Sequence, residues 1–286
     1  MDKRIDHSTG REVVIVGARQ GRPNLPSTDC PFCPGGLEAP DDYDVRWFKN
    51  RWPALGDDRC EVVLYSPIHD AALWELPHDQ VVSLIGLWAE RFDALAARPD
   101  VAYVLIFENR GPEVGATIAP PHGQIYAYPD VPPAPRRELE QGSDVDPAGV
   151  TPDLMVAHNA TWAAWVPEAA WWPYELVLAP KSPIPTISDP MLVRADLAQS
   201  LIDATARLDQ LFDAPMPYMM WWHQRPTDGG DWPGYRLHLH ITPLWRAGHT
   251  PRYAAAAELG AEVYFNPVDP AAAADRLRSL PGRDRP

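Results

Sequence analysis

The residues of this sequence with the most suggestive chemistry are a histidine and a glutamine, His122 and Gln124, which follow a segment rich in glycine and proline. Residues 123–128, Gly-Gln-Ile-Tyr-Ala-Tyr, have the aromatic and β-branched side chains typical of a strand. Side chains two residues apart on a strand point to the same face. A neutral imidazole can attack phosphorus, and an amide can donate a hydrogen bond to a phosphoryl oxygen. The pattern predicts a nucleophilic site, with an ordinary loop histidine as the alternative.

Two arginines, Arg19 and Arg22, lie in a turn after a short strand predicted over residues 10–17. Planar guanidinium groups that carry several donors suit phosphate recognition. A solvated surface pair would have the same pattern, so the residues alone leave both interpretations open.

A Cys-x-x-Cys turn, Cys30 to Cys33, is followed by two glycines. Such a turn can bring both thiolates to one tetrahedral zinc ion, while a redox pair or two unligated thiols are the alternatives. Zinc needs further ligands, and the chain has no second Cys-x-x-Cys motif.

Three histidines near the C-terminus form another cluster of possible ligands. His238 and His240 alternate along a strand predicted over residues 235–242, and His223 ends the strand predicted before it. Imidazoles combined with a carboxylate would suit iron or zinc. A pair of structural histidines is the alternative for the His-x-His motif alone.

The elements that must position these residues recur along the chain. Two strands, a helix and two strands describe residues 45–128, and the same order returns between residues 160 and 242. The helices, over about residues 78–98 and 189–212, have apolar side chains at helical spacing. The repeat predicts an internal duplication, with residues 1–150 and 151–286 as two halves that pack as one unit.

Together the motifs resemble the galactose-1-phosphate uridylyltransferase family, a branch of the histidine-triad superfamily. The resemblance rests on three motifs: Pro-His122-Gly-Gln124 preceded by Asn109, Gly115 and Thr117; Cys-Pro-Phe-Cys; and Trp-His followed by His-x-His. It implies an α+β fold, in which two histidine-triad-like halves form an antiparallel β-sheet (half-barrel) with flanking helices. It also implies that His122 becomes a covalent nucleotidyl-histidine, with Gln124 as its catalytic neighbour.

The resemblance further implies binding roles for other residues. The positions that match the family's nucleotide- and phosphate-binding residues are Arg19, Arg22, Phe48, Asn50, Asn109 and Thr117. Arg252 and Glu258 match its sugar-contacting segment, although Ala256 and Ala257 replace a glycine and, in many members, a larger residue. Arg51 stands where some members have an aspartate.

Two metal sites belong to the family pattern. The residues that match its structural site, for iron or zinc, are Glu138, His223, His238 and His240. Three residues match ligands of a zinc site, namely Cys30, Cys33 and His69. The fourth ligand of that zinc site, the first histidine of His-Pro-His, is Pro120 here. Because proline cannot bind zinc, the second site has an incomplete ligand set or is empty.

The composition limits the partners and the location. A net charge of −14 without a visible basic stripe argues against nucleic acid. The first residues lack the apolar core of a signal peptide, and no later stretch is long enough to span a membrane. Three cysteines do not make a disulfide framework. We expect a cytoplasmic protein, and by family analogy a homodimer.

The expected activity is exchange of a UMP group between a UDP-hexose and a hexose 1-phosphate by double displacement, without a catalytic metal. The expected partners are a nucleotide sugar and a sugar 1-phosphate. Three alternatives remain at this stage. Arg51 and Ala257 favour a related nucleotidyltransferase or phosphorylase with another nucleotide or acceptor. A nucleotidyl hydrolase would pass the group to water, and Pro120 favours a degenerate binding protein stabilised by metal.

Overall fold

The computed structural model describes residues 2–21, 30–56, 58–142 and 145–283. Its strands are β1 (Asp2–Ile5), β2 (Glu12–Ile15), β3 (Arg46–Lys49), β4 (Cys60–Leu64), β5 (Tyr103–Arg110), β6 (His122–Tyr128), β7 (Met155–His158), β8 (Trp162–Trp165), β9 (Leu176–Pro180), β10 (Tyr218–His223), β11 (His238–Pro243), β12 (Trp245–Ala247) and β13 (Thr250–Pro251). Its α-helices are α1 (His78–Ala96), α2 (Pro133–Gln141), α3 (Arg194–Gln210), α4 (Ala256–Ala261) and α5 (Pro270–Ser279).

Nine of the described strands form one antiparallel sheet in the order β3-β4-β6-β5-β10-β11-β9-β8-β7. Strands from residues 46–128 make one side of the sheet, and strands from residues 155–243 make the other. The two sides join where β5 pairs with β10, with Asn109 opposite Met219. The predicted α+β class, an antiparallel sheet with flanking helices, is confirmed. The division at residue 150 stays a prediction.

Helices α1, α3 and α5 pack on one face of this sheet, because the buried side chains of the two long helices recur at helical spacing. Trp88 of α1 is fully buried, and its ring lies edge-on to the rings of Tyr65 and Trp222. The same core contains Leu201 of α3 and Ile125 of β6. Burial of such side chains contributes roughly 1.5–3 kcal/mol each, so this face supplies much of the stability.

Alternation along the strands places the candidate site residues on the opposite face. Ile125 and Leu239 point into the core shared with the helices. Their strand neighbours Gln124 and His240 therefore point away from α1 and α3, and His122 and His238 do so as well. Both candidate clusters thus share one face of the sheet. Among the described residues, no helix is both long and apolar enough to cross a membrane.

Candidate active site and metal centres

His122 is the first residue of β6, and its ring is fixed by a backbone group two residues earlier. The Pro120 carbonyl accepts a hydrogen bond from Nδ1, at 2.8 Å. Because a carbonyl can only accept, the proton lies on Nδ1 and the lone pair of the neutral ring lies on Nε2. The ring of Phe32 packs edge-on to the imidazole with centroids 5.0 Å apart. The histidine is held in the tautomer that a nucleophile at Nε2 requires.

Gly123 allows the strand to pass directly over a buried tyrosine. A Cβ atom at this position would lie 2.2 Å from the Tyr65 hydroxyl oxygen and 2.9 Å from the Phe107 carbonyl oxygen. A larger residue would therefore displace the strand that carries His122, which explains glycine here.

Gln124 has a defined amide orientation. Its Oε1 accepts from Asn50 Nδ2 at 3.1 Å and from the Tyr126 hydroxyl at 3.3 Å. Asn50 is oriented in turn, because its Oδ1 accepts from the Trp52 N–H at 2.8 Å. The Gln124 carbonyl is thus engaged, so Nε2 is the group with which this side chain can donate to a ligand.

Two cavities meet at His122. One, of about 340 Å³, has Arg19, Asn109, Thr117 and Gln124 in its wall. The second, of about 270 Å³, shares His122 and Asn109 and is lined on its other side by Asp70, Glu108 and Pro120. The larger cavity lies in the usual size range of small-molecule sites. The structure therefore places three of the six predicted nucleotide- and phosphate-binding residues, Arg19, Asn109 and Thr117, around the predicted nucleophile.

Other predicted binding residues lie outside these cavities. Phe48 packs against Phe32, with ring centroids 5.6 Å apart. Arg22 lies outside the described residues. Arg252 and Glu258 are buried against each other, and the Arg252 guanidinium lies 4.5 Å from the centre of a Trp172 ring. Neither lines a cavity at His122, so their sugar-contacting role stays a prediction.

Sequence reasoning missed Glu108, which points to the helical side of the sheet beneath the nucleophile. The Tyr218 hydroxyl donates to its Oε1 at 2.9 Å. Burial raises the pKa of this carboxyl to about 7, against the opposing effects of Tyr218 and Arg110. The only sequence signal for Glu108 was its position next to Asn109, and a glutamate near the end of a strand is too common to indicate a functional site.

Helix α2 brings a carboxylate to the histidine cluster. Pro133 occupies the first turn of the helix, and Gly142 ends it in the left-handed conformation, with φ 61°. Both Glu138 oxygens lie 2.8–2.9 Å from His223 Nδ1. The helix thus sets Glu138 over the face that carries the three histidines.

The four residues fit a metal ion. His238 donates from Nδ1 to the Arg236 carbonyl at 2.8 Å, so its lone pair lies on Nε2, 3.4 Å from Glu138 Oε2. Burial lowers the pKa of His223 and holds that of His240 well below its usual value. Burial opposes ionisation of Glu138, but the neighbouring His223 and His238 hold its pKa well below the usual range. The carboxylate is thus ionised, and burial favours the neutral rings of His223 and His240, as binding of a cation requires.

The cysteine cluster is smaller and more open. Cys33 Sγ lies 3.1 Å from His69 Nδ1, and Cys30 completes a group of possible ligands. Among the described residues no fourth histidine, cysteine or carboxylate joins it. Desolvation and the neighbouring Cys30 raise the pKa of Cys33 to about 11. A Cβ at Gly36 would lie within 2.8 Å of three carbonyl oxygens, which explains the glycine that closes this turn.

Comparison with known proteins identifies the family. Residues 53–132 match the galactose-1-phosphate uridyl transferase N-terminal domain, and residues 150–280 match the C-terminal domain. The galactose-1-phosphate uridylyltransferase of Thermotoga maritima is 34% identical, with 97% of this chain and 98% of that protein covered. The chain belongs to the galactose-1-phosphate uridylyltransferase family. A family member from Streptomyces lividans is also 34% identical, over 92% of this chain and 82% of its own length.

Solved structures agree with this galactose-1-phosphate uridylyltransferase assignment. A uridylyltransferase structure has a TM-score of 0.88 at 31% identity, with 98% of each chain covered. An ADP-glucose phosphorylase from Arabidopsis thaliana, solved with bound ADP-glucose, has a TM-score of 0.79 at 23% identity, covering 98% of this chain and 99% of that one. The second likeness concerns the fold alone.

Proposed function

We propose that this chain is a nucleotidyltransferase that moves a UMP group between a UDP-hexose and a hexose 1-phosphate. The observation that carries the proposal is the Nδ1–H of His122 on the Pro120 carbonyl, which leaves Nε2 as the nucleophilic atom beside a cavity lined by Gln124. The curated relatives that span nearly the whole chain have the same activity in their names.

The first half-reaction forms a phosphorus–nitrogen bond. Nε2 of His122 attacks the α-phosphorus of the UDP-hexose, and the bond from that phosphorus to the bridging oxygen breaks. The hexose 1-phosphate leaves with the electron pair. The imidazole gains positive charge, which the carbonyl of Pro120 stabilises through the Nδ1–H that it already accepts.

The second half-reaction reverses the first with a new acceptor. A phosphate oxygen of a second hexose 1-phosphate attacks the phosphorus, and the bond to Nε2 breaks with its electrons returning to the ring. Nδ1 keeps its proton throughout, so neither step needs a general base. Closure of the cavity to water would favour the sugar phosphate over hydrolysis.

The remaining site residues hold the phosphoryl oxygens. The Gln124 amide nitrogen lies two residues along the strand from the nucleophile, and Arg19 contributes positive charge from the wall of the same cavity. We assign Arg22, Phe48, Asn50, Asn109 and Thr117 to nucleotide binding on the family resemblance. The contact between Asn50 and Gln124 supports a shared surface for the nucleotide and its phosphates.

We propose one structural metal ion, iron or zinc, at Glu138, His223, His238 and His240. Three nitrogen donors and one oxygen donor suit either metal. A bound ion would cross-link α2, β10 and β11, three segments that are distant in sequence. No step of the transfer uses it.

A homodimer and a cytoplasmic location stay predictions. One observation supports self-association, a group of exposed apolar side chains between residues 253 and 265 that includes Tyr253 and Phe265. Sedimentation of the purified chain would show whether a dimer forms.

The covalent intermediate provides the test of function. Incubation with UDP-glucose labelled in the uridine should release glucose 1-phosphate and leave acid-labile label on the protein. Galactose 1-phosphate should then discharge the label as UDP-galactose. Discharge by inorganic phosphate alone would indicate a phosphorylase, and discharge by water alone would indicate a hydrolase.

Variants assign the label to one residue. His122→Gly should take up no label and should lose turnover by about 10⁴-fold or more, the scale expected for removal of a covalent nucleophile. His158→Gly is the matched control, because this exposed histidine lies on the edge strand β7 and lines neither cavity at His122. Full labelling and turnover in His122→Gly would show that the nucleophile is another residue.

A further inference from the structure

His240 differs from the other histidines of the proposed metal centre. Both of its ring nitrogens are buried and, in the part of the chain that the structure describes, neither forms a hydrogen bond. The ring stacks on Trp221, with centroids 5.2 Å apart and planes 14° from parallel. Stacking on Trp221 therefore fixes the plane of the ring. The position of its proton depends on the polar groups nearest to the two ring nitrogens.

Two carboxylates face those nitrogens from opposite edges of the ring. Nε2 lies 3.9 Å from Glu138 Oε1, on the side of the other ligands. Nδ1 lies 3.8 Å from Oε1 of Glu175, on the side away from them. A movement of about 1 Å would bring Nδ1 within hydrogen-bonding distance of Glu175.

Glu175 is a buried carboxylate with one oxygen already engaged. The residue directly precedes β9 and is only 2% exposed. Its Oε2 accepts from the backbone N–H groups of Trp171, at 3.1 Å, and Trp172, at 3.3 Å. These bonds hold the carboxylate with Oε1 toward His240. Burying a charged group without a further partner would be costly, so the orientation itself points to His240 as that partner.

We propose that Glu175 is the positioning residue of the metal centre, because its Oε1 accepts the Nδ1–H of His240 and so places the lone pair of that ring on Nε2, toward the ion. In the same way, the Arg236 carbonyl accepts the Nδ1–H of His238 and places the lone pair of that ring on Nε2. Hydrogen bonds of this kind orient metal-ligating histidines and raise their basicity. The inference depends on the metal site proposed above, but not on the transfer reaction.

The tautomer of His240 can be measured in the unsubstituted chain. The full chain is stripped of metal, reloaded with Zn²⁺ and labelled with ¹⁵N at histidine, and the ring nitrogens are assigned by NMR. We expect the proton of His240 on Nδ1 and zinc on Nε2. A proton on Nε2, with Nδ1 toward the metal, overturns the proposal. A chain that takes up no Zn²⁺ at this cluster overturns both the proposal and the metal site.

Glu175→Gln tests the need for a carboxylate at nearly constant shape. If the glutamine carbonyl accepts from Trp171 and Trp172, its NH₂ group faces His240 and favours a proton on Nε2, which removes the ligand lone pair. If the amide is reversed, its NH₂ group faces the N–H groups of Trp171 and Trp172, and these donors leave each other without an acceptor. Either orientation disfavours the liganding tautomer, so Zn²⁺ affinity measured by chelator competition should fall about 10- to 100-fold.

Glu61→Gln is the matched control, because Glu61 of β4 is also a buried glutamate but pairs with Arg91 of α1. Its Zn²⁺ affinity should equal that of the parent. In a His240→Ala background, Glu175→Gln should cause no further loss, because its effect passes through that ring. If folded Glu175→Gln binds Zn²⁺ as tightly as the parent, Glu175 only caps the turn at residues 171–172 and the proposal is wrong. The NMR measurement decides the question even if the variant does not fold.

Discussion

His122 and His238 occupy corresponding places in the two sides of the sheet. Each is the first residue of its strand, β6 or β11. Each donates from Nδ1 to the carbonyl two residues earlier, and both distances are 2.8 Å. Both rings therefore have the lone pair of the neutral form on Nε2. The residue two positions on, which shares the same face, is Gln124 in one case and His240 in the other.

The difference lies in what surrounds the ring. His238 has a carboxylate, Glu138 Oε2, 3.4 Å from Nε2, and the His240 ring 5.0 Å away between centroids. The neutral amide of Gln124 lies on the same face of the sheet as His122, and the Phe32 ring packs edge-on to the imidazole. A negative charge attracts a metal ion and repels a phosphate. In the proposed function, the same local fold therefore serves as a metal ligand in one place and as a nucleophile for phosphorus in the other.

Among changes that exchange the surroundings of the two histidines, the largest effect is expected from giving His122 the charge that His238 has. Gln124→Glu removes an amide donor and adds a carboxylate beside the incoming phosphates, so turnover should fall by about 10³-fold. The fold should persist because the side chain keeps its size. Steady-state kinetics and thermal melting measure the two effects separately. Gln210→Glu, at the end of α3, controls for the added charge and should leave turnover unchanged.

A large effect on stability is expected at the other histidine. His238→Ala removes one ligand from a site that joins α2 to β10 and β11, so metal content should fall well below one ion. The melting temperature should fall by about 10 °C, while turnover changes far less. Elemental analysis and calorimetry check this prediction. Metal content equal to that of the parent would show that His238 is not a ligand and that the proposed metal site is wrong.

Much of the fold could be predicted from the sequence because its pattern is local. The apolar spacing of α1 predicted the helix, which ends at Ala96, shortly before Pro99. The predicted start of the next long helix at residue 189 is wrong. Asp189 instead forms a turn by accepting from the Met191 N–H at 2.9 Å, and α3 begins at Arg194. Helix α2 was not predicted, because its prolines and charges lack apolar periodicity.

The site could be predicted only where its residues are neighbours in sequence or match the family pattern. Alternation along a strand was enough to place His122 and Gln124 on one face. Nothing in the sequence reveals that Phe32, from the cysteine turn, packs on the nucleophile, or that Glu175 approaches His240. Those contacts depend on strand order, which brings together segments far apart in the chain.

The two sides also differ on the helical face, where Glu108 lies beneath the nucleophile strand. Its pKa is raised by burial from 4.5 to about 7. Below pH 4.5 the Glu108 carboxyl is protonated in both the folded and the unfolded state, so its ionisation does not change the folding stability. As pH rises from 4.5 to 7 the unfolded state ionises first, and folding stability falls by up to about 3 kcal/mol.

Glu108→Gln cannot ionise and should escape this loss. Its free energy of unfolding relative to the parent should rise between pH 4.5 and 7 and stay constant above pH 7. Denaturant titrations across this range measure the difference. A difference that is the same at every pH would mean that the carboxyl ionises equally in both states.

The smallest expected effect on activity concerns Pro120. Its contribution to His122 is a backbone carbonyl, which any residue supplies. Proline also limits the conformations of the unfolded chain, so the loop can stay ordered without a metal. We therefore expect zinc at Cys30 and Cys33 to be absent or substoichiometric in the purified protein, while His122 remains reactive.

Pro120→His should add the missing ligand without changing turnover. Pro120 and Asp70, the neighbour of His69, line the same cavity of about 270 Å³, so an imidazole has space on the side of the cysteine cluster. A fourth ligand would close the tetrahedral shell, and zinc should then protect Cys30 and Cys33 from alkylation, read by mass spectrometry. Cys60 is fully buried and serves as the internal control. Chelator-resistant zinc on both cysteines of the unmodified chain would contradict this account, because another group would then have to supply the fourth ligand.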